Sequence, residues 1–302
     1  MKKVSVGFIA SLLALTAFAQ SKIESKTLLW KISGNGIEKP SYLFGTIHML
    51  CKEEAFLSTN LVNAIKNADR VYFELDMDNL FDMLGAMTKM KMNNDTTLAD
   101  LLSPEDYKRM KEYFESRKSM LPFSVLETYK PLIASSLIME SVMSCDQQVA
   151  MEQLIMEEAK KYNKRIEGLE TTAYQMSIFD SIPYKVQVQE LLKMINTGDE
   201  EDKGNEEYNE LMNAYREQDL EKLGRLISQN EDGMMLYEDI LLNNRNRNWV
   251  TKLKTLLPGK PLVIAVGAGH LPGNKGVINL LRKEGFTVTP VENKMPKKVR
   301  EI

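Results

Sequence analysis

Residues 261–276 have the sequence PLVIAVGAGHLPGNKG. The continuous apolar run over 261–266 is typical of a strand that is buried on both faces of a sheet. A glycine ends the run, and His270 follows where the chain leaves the sheet, which is where ligand sites of open α/β sheets collect. A helix near 277–284 and a strand over 286–291 are predicted to complete this C-terminal part.

The same plan occurs near the N-terminus, where SYLFGTIH at 41–48 gives a strand, a glycine, two residues and His48. A strand-like piece, LLWKISG at 28–34, precedes it across a turn that contains glycine and proline, so the two pieces are predicted to pair. His48 and His270 are the two histidines of the chain. Gly45 and Gly267 let the backbone turn sharply before each of them.

A third strand-like stretch, RVYFELDM at 70–77, contains acidic residues in its second half. Its alternation places Val71, Phe73 and Leu75 on one face and Tyr72, Glu74 and Asp76 on the other. If this strand ends beside the other two, both imidazoles converge with one or two carboxylates. The alternative for Glu74 and Asp76 is the solvated face of a half-buried strand.

The middle of the chain, from about 79 to 257, has mainly helical spacing of apolar residues. A strand-like piece, RIEGLE at 165–170, interrupts it, and the polar run at 196–207 is predicted to be an exposed loop. We therefore expect an α/β protein whose central mixed sheet is built from the N- and C-terminal parts, with a long, mainly helical insertion.

The first 19 residues predict export. A basic start, an apolar stretch and an Ala-x-Ala ending at Ala17 to Ala19 are typical of a signal peptide. The stretch is shorter than the about 20 residues of a spanning helix, which argues against a stable membrane anchor. We expect a mature domain over 20–302, in the periplasm or outside the cell.

Charge and cysteine content limit the remaining possibilities. The formal net charge is −3, and it becomes more negative once Lys2 and Lys3 are removed, which does not favour nucleic-acid binding. In an oxidising compartment Cys51 and Cys145 could form a disulfide, although sequence does not tell whether they lie close together. The oligomeric state is not indicated.

Two imidazoles with carboxylates are the ligand set of divalent transition metals such as zinc, manganese, iron or cobalt. With His48, His270 and Glu74 as ligands, an open position would remain for a water whose pKa is lowered toward neutrality. Hydrolysis is then the natural chemistry. Without a metal, either histidine could act as a general base oriented by a carboxylate.

At these residues the chain resembles the TraB/PrgY/GumN family, which also contains the Tiki metalloproteases. The resemblance rests on GTIH, FELD, GLE, RNRNW and GAGHLPG, which begin at residues 45, 73, 168, 245 and 267. It implies an α/β core and, for the Tiki branch, a metal-dependent protease that needs both Gly-x-x-His histidines and a glutamate. Carried over, the metal ligands are His48, His270 and Glu74.

Further site residues follow from these motifs. Catalytic candidates are Glu74, Asp76 and Glu170, and candidates for substrate binding or for orienting other groups are Gly45, Gly267, Gly269, Arg247 and Asn248. Two functions compete. One is a metal-dependent hydrolase, a peptidase acting on a peptide or protein substrate. The other is a non-catalytic protein that binds or sequesters a peptide or pheromone, with the helical insertion as its groove.

Overall fold

The computed structural model describes residues 26–116, 121–141, 143, 145–199, 203–228 and 236–295. The predicted signal peptide lies outside these residues. Among the helices of the described part, none is long and apolar enough to cross a membrane.

A mixed six-stranded sheet forms the centre of the protein, as predicted. Its strands are β1 (Leu29–Ser33), β2 (Ser41–Thr46), β4 (Arg70–Phe73), β6 (Arg165–Gly168), β7 (Leu262–Gly267) and β8 (Thr287–Val291). They lie in the order β6-β4-β7-β2-β1-β8. The strands β6, β4, β7 and β2 are parallel neighbours, whereas β1 pairs antiparallel with β2 and with β8. The sheet is therefore assembled from both ends of the chain.

Some helices pack against the sheet, and others pack against each other around a second apolar cluster. The helices are α1 (Thr59–Asn67), α2 (Leu80–Lys89), α3 (Leu98–Leu101), α4 (Pro104–Glu115), α5 (Phe123–Leu126), α6 (Pro131–Ser141), α7 (Met151–Lys161), α8 (Thr172–Asp180), α9 (Tyr184–Asp199), α10 (Lys203–Arg216), α11 (Leu220–Ser228), α12 (Asn244–Leu256) and α13 (Val277–Lys283). Helix α4 begins with the Ser103 side chain accepting from Asp106 N–H and with Pro104 in the first turn.

Two apolar clusters divide the helices. The larger one surrounds the sheet and includes side chains of α7, α10, α11 and α12. The smaller one lies within 92–195 and is formed mainly by α4, α5 and α9. The part of the predicted insertion that has a core of its own is thus shorter than 79–257, because α7, α10, α11 and α12 bury apolar side chains against the sheet.

Two local predictions differ from the structure. The run at 196–207 was predicted to be a loop, but α9 continues to Asp199 and α10 starts at Lys203. Polar composition does not prevent a helix, because most of these residues are compatible with helical backbone. The alternation at 70–77 is also interrupted, since the strand ends at Phe73 and Tyr72 is buried like its neighbours. A central parallel strand is covered on both faces.

The cysteine pair is closed. Cys51 and Cys145 form a disulfide between segments 94 residues apart in sequence. The same segments form a small antiparallel sheet of β3 (Leu50–Cys51) and β5 (Gln148–Val149). This junction fixes the chain after β2 against the chain before α7.

Candidate active site

One ionisable side chain follows the end of each of the four parallel strands, and all four lie at the same edge of the sheet. Glu74 follows β4 directly, Glu170 lies two residues after β6, His48 two residues after β2, and His270 three residues after β7. The pairing register places Thr46 opposite Gly267 and Phe73 opposite both Ala265 and Gly168. Carboxyl ends of parallel strands meet at one edge, so the residues after them form a common site.

Arg245, from α12, is at the centre of this site. Its Nη2 lies 2.5 Å from Glu74 Oε2 and 2.5 Å from Glu170 Oε1. Its Nε donates to both oxygens of Glu170, and its Nη1 donates to Leu241 O and lies 3.1 Å from His270 Nε2. One guanidinium thus bridges two buried carboxylates and an imidazole, which its fixed fork of donors allows.

Two further side chains complete the cluster. Trp249 Nε1 donates to Glu170 Oε2 at 3.0 Å, and its ring lies 4.4 Å from the ring of His270. Gln175, in the first turn of α8, donates to Glu170 and Glu74. Glu170 is therefore held by three side chains, those of Arg245, Trp249 and Gln175.

The Nδ1 side of His270 is held by Asn246. Asn246 Nδ2 donates to Lys275 O, so Asn246 Oδ1 is the acceptor that faces His270 Nδ1 at 2.6 Å. His270 then carries its proton on Nδ1, and its Nε2 accepts from Arg245 Nη1 on the side that faces Glu74. A buried partner on one ring nitrogen is how proteins fix a histidine that uses the other nitrogen.

Gly267 is required by the position of Glu74. Its N–H donates to Glu74 Oε1 at 2.8 Å, and a Cβ on Gly267 would stand 3.2 Å from that oxygen. Glycine lets the carboxylate approach the backbone closely. Gly45 is also crowded, since a Cβ there would meet Ala268 at 3.1 Å, and at Gly269 it would meet Ile227 at 2.8 Å.

Burial and charge set the protonation of the site. Burial raises the pKa of Glu74, but the charges of a protonated His270 and of Arg245, with the Gly267 N–H, outweigh it and lower that pKa to about 2. Burial lowers the pKa of His270 to about 4, although Glu74 opposes the change. Burial also raises the pKa of Glu170. At neutral pH the site therefore holds an ionised Glu74 and a neutral His270.

His48 differs from His270 in exposure and charge. Its side chain is 76% exposed, and its Nδ1 lies 2.9 Å from Glu152 Oε1. The hydrogen bond that His48 Nδ1–H donates to Glu152 raises the pKa of His48, and because the ring is largely exposed, water screens part of this effect. The charge of His48 in turn lowers the pKa of both Glu74 and His270, so it acts on the same site.

The other predicted site residues lie at its margin. Asp76 accepts from Asp78 N–H in a local turn. Arg247 and Asn248 are exposed on α12, where Arg247 contacts Asn244 and Asn248 donates to Tyr174. The arginine and asparagine of RNRNW that contact the site residues are the first pair, Arg245 and Asn246.

Sequence reasoning missed Arg245, Asn246, Trp249, Gln175 and Glu152. A signal existed for three of them, because Trp249, Val250 and Leu253 mark the buried face of α12. Arg245 and Asn246 precede Trp249 by four and three residues, which is the spacing of one helix face. Nothing in the sequence pairs Glu152 with His48, since the contact joins positions 104 residues apart.

The donors suit a divalent transition metal, but their spacing does not form a closed cage. His270 Nε2 and Glu74 Oε1 are 3.8 Å apart, and each histidine has its Nδ1 held by another side chain, which leaves Nε2 as the ligand atom. Within the described ranges no three His, Cys, Asp or Glu side chains are grouped to hold a metal. The positive charge between Glu74 and His270 is that of the Arg245 guanidinium.

Comparison with known proteins finds two kinds of relative, and the first kind is named as metalloproteases. The chain is 24% identical over 320 residues to Metalloprotease TIKI1 of Homo sapiens, covering 88% of the chain and 62% of the relative. It is 25% identical over 323 residues to Metalloprotease TIKI1 of Xenopus tropicalis, covering 89% and 62%. The chain thus spans less than two thirds of these relatives.

A second kind of relative is matched over most of its own length. The chain is 25% identical over 251 residues to the uncharacterized protein YbaP of Shigella flexneri, covering 80% of the chain and 88% of YbaP. No solved structure matches at the same level of significance. The model of the TraB/PrgY/gumN family matches residues 28–290, which include all four strand ends of the site. The chain therefore belongs to the TraB/PrgY/gumN family.

Proposed function

We propose that this protein is an exported, metal-dependent hydrolase that cleaves peptide bonds, with His48, His270 and Glu74 as metal ligands. The observation that carries the proposal is the unprotonated Nε2 of His270, which Asn246 fixes through Nδ1 and which lies 3.8 Å from Glu74 Oε1, with Arg245 Nη1 as its present donor. Relatives named metalloproteases support the reaction class. Export rests on the sequence of residues 1–19, and the substrate would be a peptide or protein outside the cytoplasm.

A bound zinc, manganese or cobalt ion would lower the pKa of a coordinated water and so supply a nucleophile near neutral pH. The protein's own groups then have separate tasks. Gly267 N–H and Arg245 hold the Glu74 carboxylate, and Asn246 holds the His270 ring. Glu170 fixes Arg245 rather than contacting substrate, because Trp249 and Arg245 already occupy its oxygens. His48 is at the exposed side, where substrate can reach it.

Metal content tests this assignment. Purified mature protein is expected to contain about one transition-metal ion per chain, and His48→Ala and His270→Ala are expected to lose it while keeping their circular dichroism spectrum. Glu74→Gln should lose metal as well. Asp76→Asn is the matched control, since Asp76 follows the same strand but bonds locally. Full metal occupancy in both histidine variants would contradict the proposal.

An exposed apolar face on α2 favours the second function, peptide binding without cleavage. Phe81, Leu84 and Met87 are 86%, 53% and 57% exposed, and they share one side of a helix that packs against α8. α8 also carries Gln175, so α2 packs against a helix that contributes to the site. A binding protein would retain its affinity after both histidines are replaced, and its peptide would be recovered uncut. A hydrolase would release cleavage products that disappear in the same variant.

A further inference from the structure

Glu152 is a buried carboxylate to which the proposed function gives no role. The residue is 6% exposed, and its Oε1 accepts from Thr46 Oγ1 at 2.6 Å and lies 2.9 Å from His48 Nδ1. Its Oε2 is buried without a hydrogen-bond partner among the described residues. Burying a carboxylate costs free energy unless its partners compensate. The burial of Glu152 is therefore unfavourable for stability by itself, which suggests a functional role for its contact with His48.

Several backbone contacts hold Glu152 in that position. It is the second residue of α7, and Met151 N–H, just before it, donates to Ile47 O. The strands β3 and β5 pair between the two segments, and Lys52 N–H donates to Gln147 O. The Cys51–Cys145 disulfide closes the same junction. The segment that carries Glu152 is thus fixed against the segment that carries His48.

His48 needs such a partner. Its ring is 76% exposed, and no second side chain among the described residues hydrogen-bonds it. An exposed side chain without a fixed partner samples its rotamers freely. His270, by contrast, is held through the same ring atom, Nδ1, by Asn246 and is packed against Trp249.

We propose that Glu152 is the positioning residue of His48, which it holds through Nδ1 so that Nε2 is presented to the site, with the Cys51–Cys145 junction keeping Glu152 in place. The use of Nε2 rests on the proposed function, whereas the orientation of the ring does not. The two histidines then form a matched pair, each fixed by a buried side chain on Nδ1. The partner is an anion for exposed His48 and an amide for buried His270.

Ring N–H signals in nitrogen-15 NMR test the positioning directly, because the chain has only two histidines. The protein is purified with a histidine-free tag. In the wild type we expect Nδ1–H signals from both rings. Glu152→Ala is expected to speed exchange of the His48 Nδ1–H with water about tenfold or more, while the His270 signal stays. Glu152→Gln keeps an acceptor oxygen and should restore the His48 signal.

The His270 signal is the internal control for folding. If Glu152→Ala leaves His48 Nδ1–H exchange unchanged while His270 is intact, Glu152 does not position His48. If Glu152→Ala abolishes both signals, the Glu152→Gln variant decides the question. Signals from both rings of Glu152→Gln support positioning, whereas a signal from His270 alone overturns it. In a Cys51→Ser/Cys145→Ser variant, faster exchange at His48 alone supports the role of the junction, and unchanged exchange removes that role.

Zinc titration separates this proposal from the proposed function. If His48 is a ligand, Glu152→Ala should weaken zinc binding about 10- to 100-fold, as loss of a partner of a ligating histidine does. Unchanged zinc affinity in Glu152→Ala would count against positioning for metal binding. A wild-type protein that binds no zinc but shows the protected His48 Nδ1–H would contradict the proposed function and retain the positioning.

Discussion

Replacing Arg245 by methionine should lower the free energy of unfolding by about 3–5 kcal/mol at neutral pH. The guanidinium is the cation shared by Glu74 and Glu170, whose side chains are only 12% and 5% exposed. Methionine fills a similar volume but leaves two buried carboxylates side by side without their counter-charge. Denaturation by urea, followed by circular dichroism, measures the loss.

Arg247→Met is the matched control for this substitution. Arg247 stands two residues later on the same helix, is exposed, and contacts Asn244 at the surface. Its replacement should change stability by less than about 0.5 kcal/mol. The deficit of Arg245→Met should also shrink toward lower pH, because protonation of one carboxylate relieves their repulsion. Equal losses in the two variants would show that Arg245 is not the counter-charge of the site.

The Arg245 result also bears on metal binding. Arg245 occupies the space between Glu74 and His270, so a cation held by these two residues must compete with the guanidinium. Its Nε contacts with Glu170 do not involve Glu74, and they can persist when the other contacts are released. The site therefore already holds a cation, the Arg245 guanidinium, which a metal ion bound by Glu74 and His270 would have to displace from these two residues.

How far the sequence predicts this protein can be judged from α12 and from the strand ends. The two Gly-x-x-His motifs and Glu74 lie on neighbouring strands because a parallel register brings their carboxyl ends together. The apolar runs predict these strands and the polar residues that follow them, whereas the order of the strands requires the fold. The choice between Arg245 and Arg247 depends on which helix face is buried, and counting back from Trp249 would have made it.

Other features depend on contacts that no local pattern contains. The pairing of Glu152 with His48 and the closure of Cys51 on Cys145 join segments that are distant in sequence. The buried state of Tyr72 follows from β4 lying between β6 and β7, and sheet order is a tertiary property. Local periodicity therefore predicts the elements, whereas the partners of each buried polar group require the fold.

The acid sensitivity of the protein is the second large effect, and His270 is its expected source. The pKa of His270 falls from 6.5 to about 4 on folding, because burial disfavours the charged ring. A group with a lowered pKa contributes stability that is present above pH 6.5 and is lost as pH falls toward 4. For the protein stripped of metal by a chelator, we expect the free energy of unfolding to drop by about 3 kcal/mol over this range from His270 alone.

Two histidine variants make the measurement specific. His270→Gln removes the titrating ring, so its stability should stay nearly level between pH 6.5 and pH 4.5, where the carboxylates begin to contribute. His48→Gln should retain the acid loss of the wild type. The hydrogen bond that His48 donates to Glu152 raises the pKa of His48, so the contribution of this pair to stability is present at acid pH and is lost as pH rises. If His270→Gln lost stability as steeply as the wild type in this window, the neutral ring would not be a feature of the folded site, and Arg245 would then face an imidazolium rather than a lone pair.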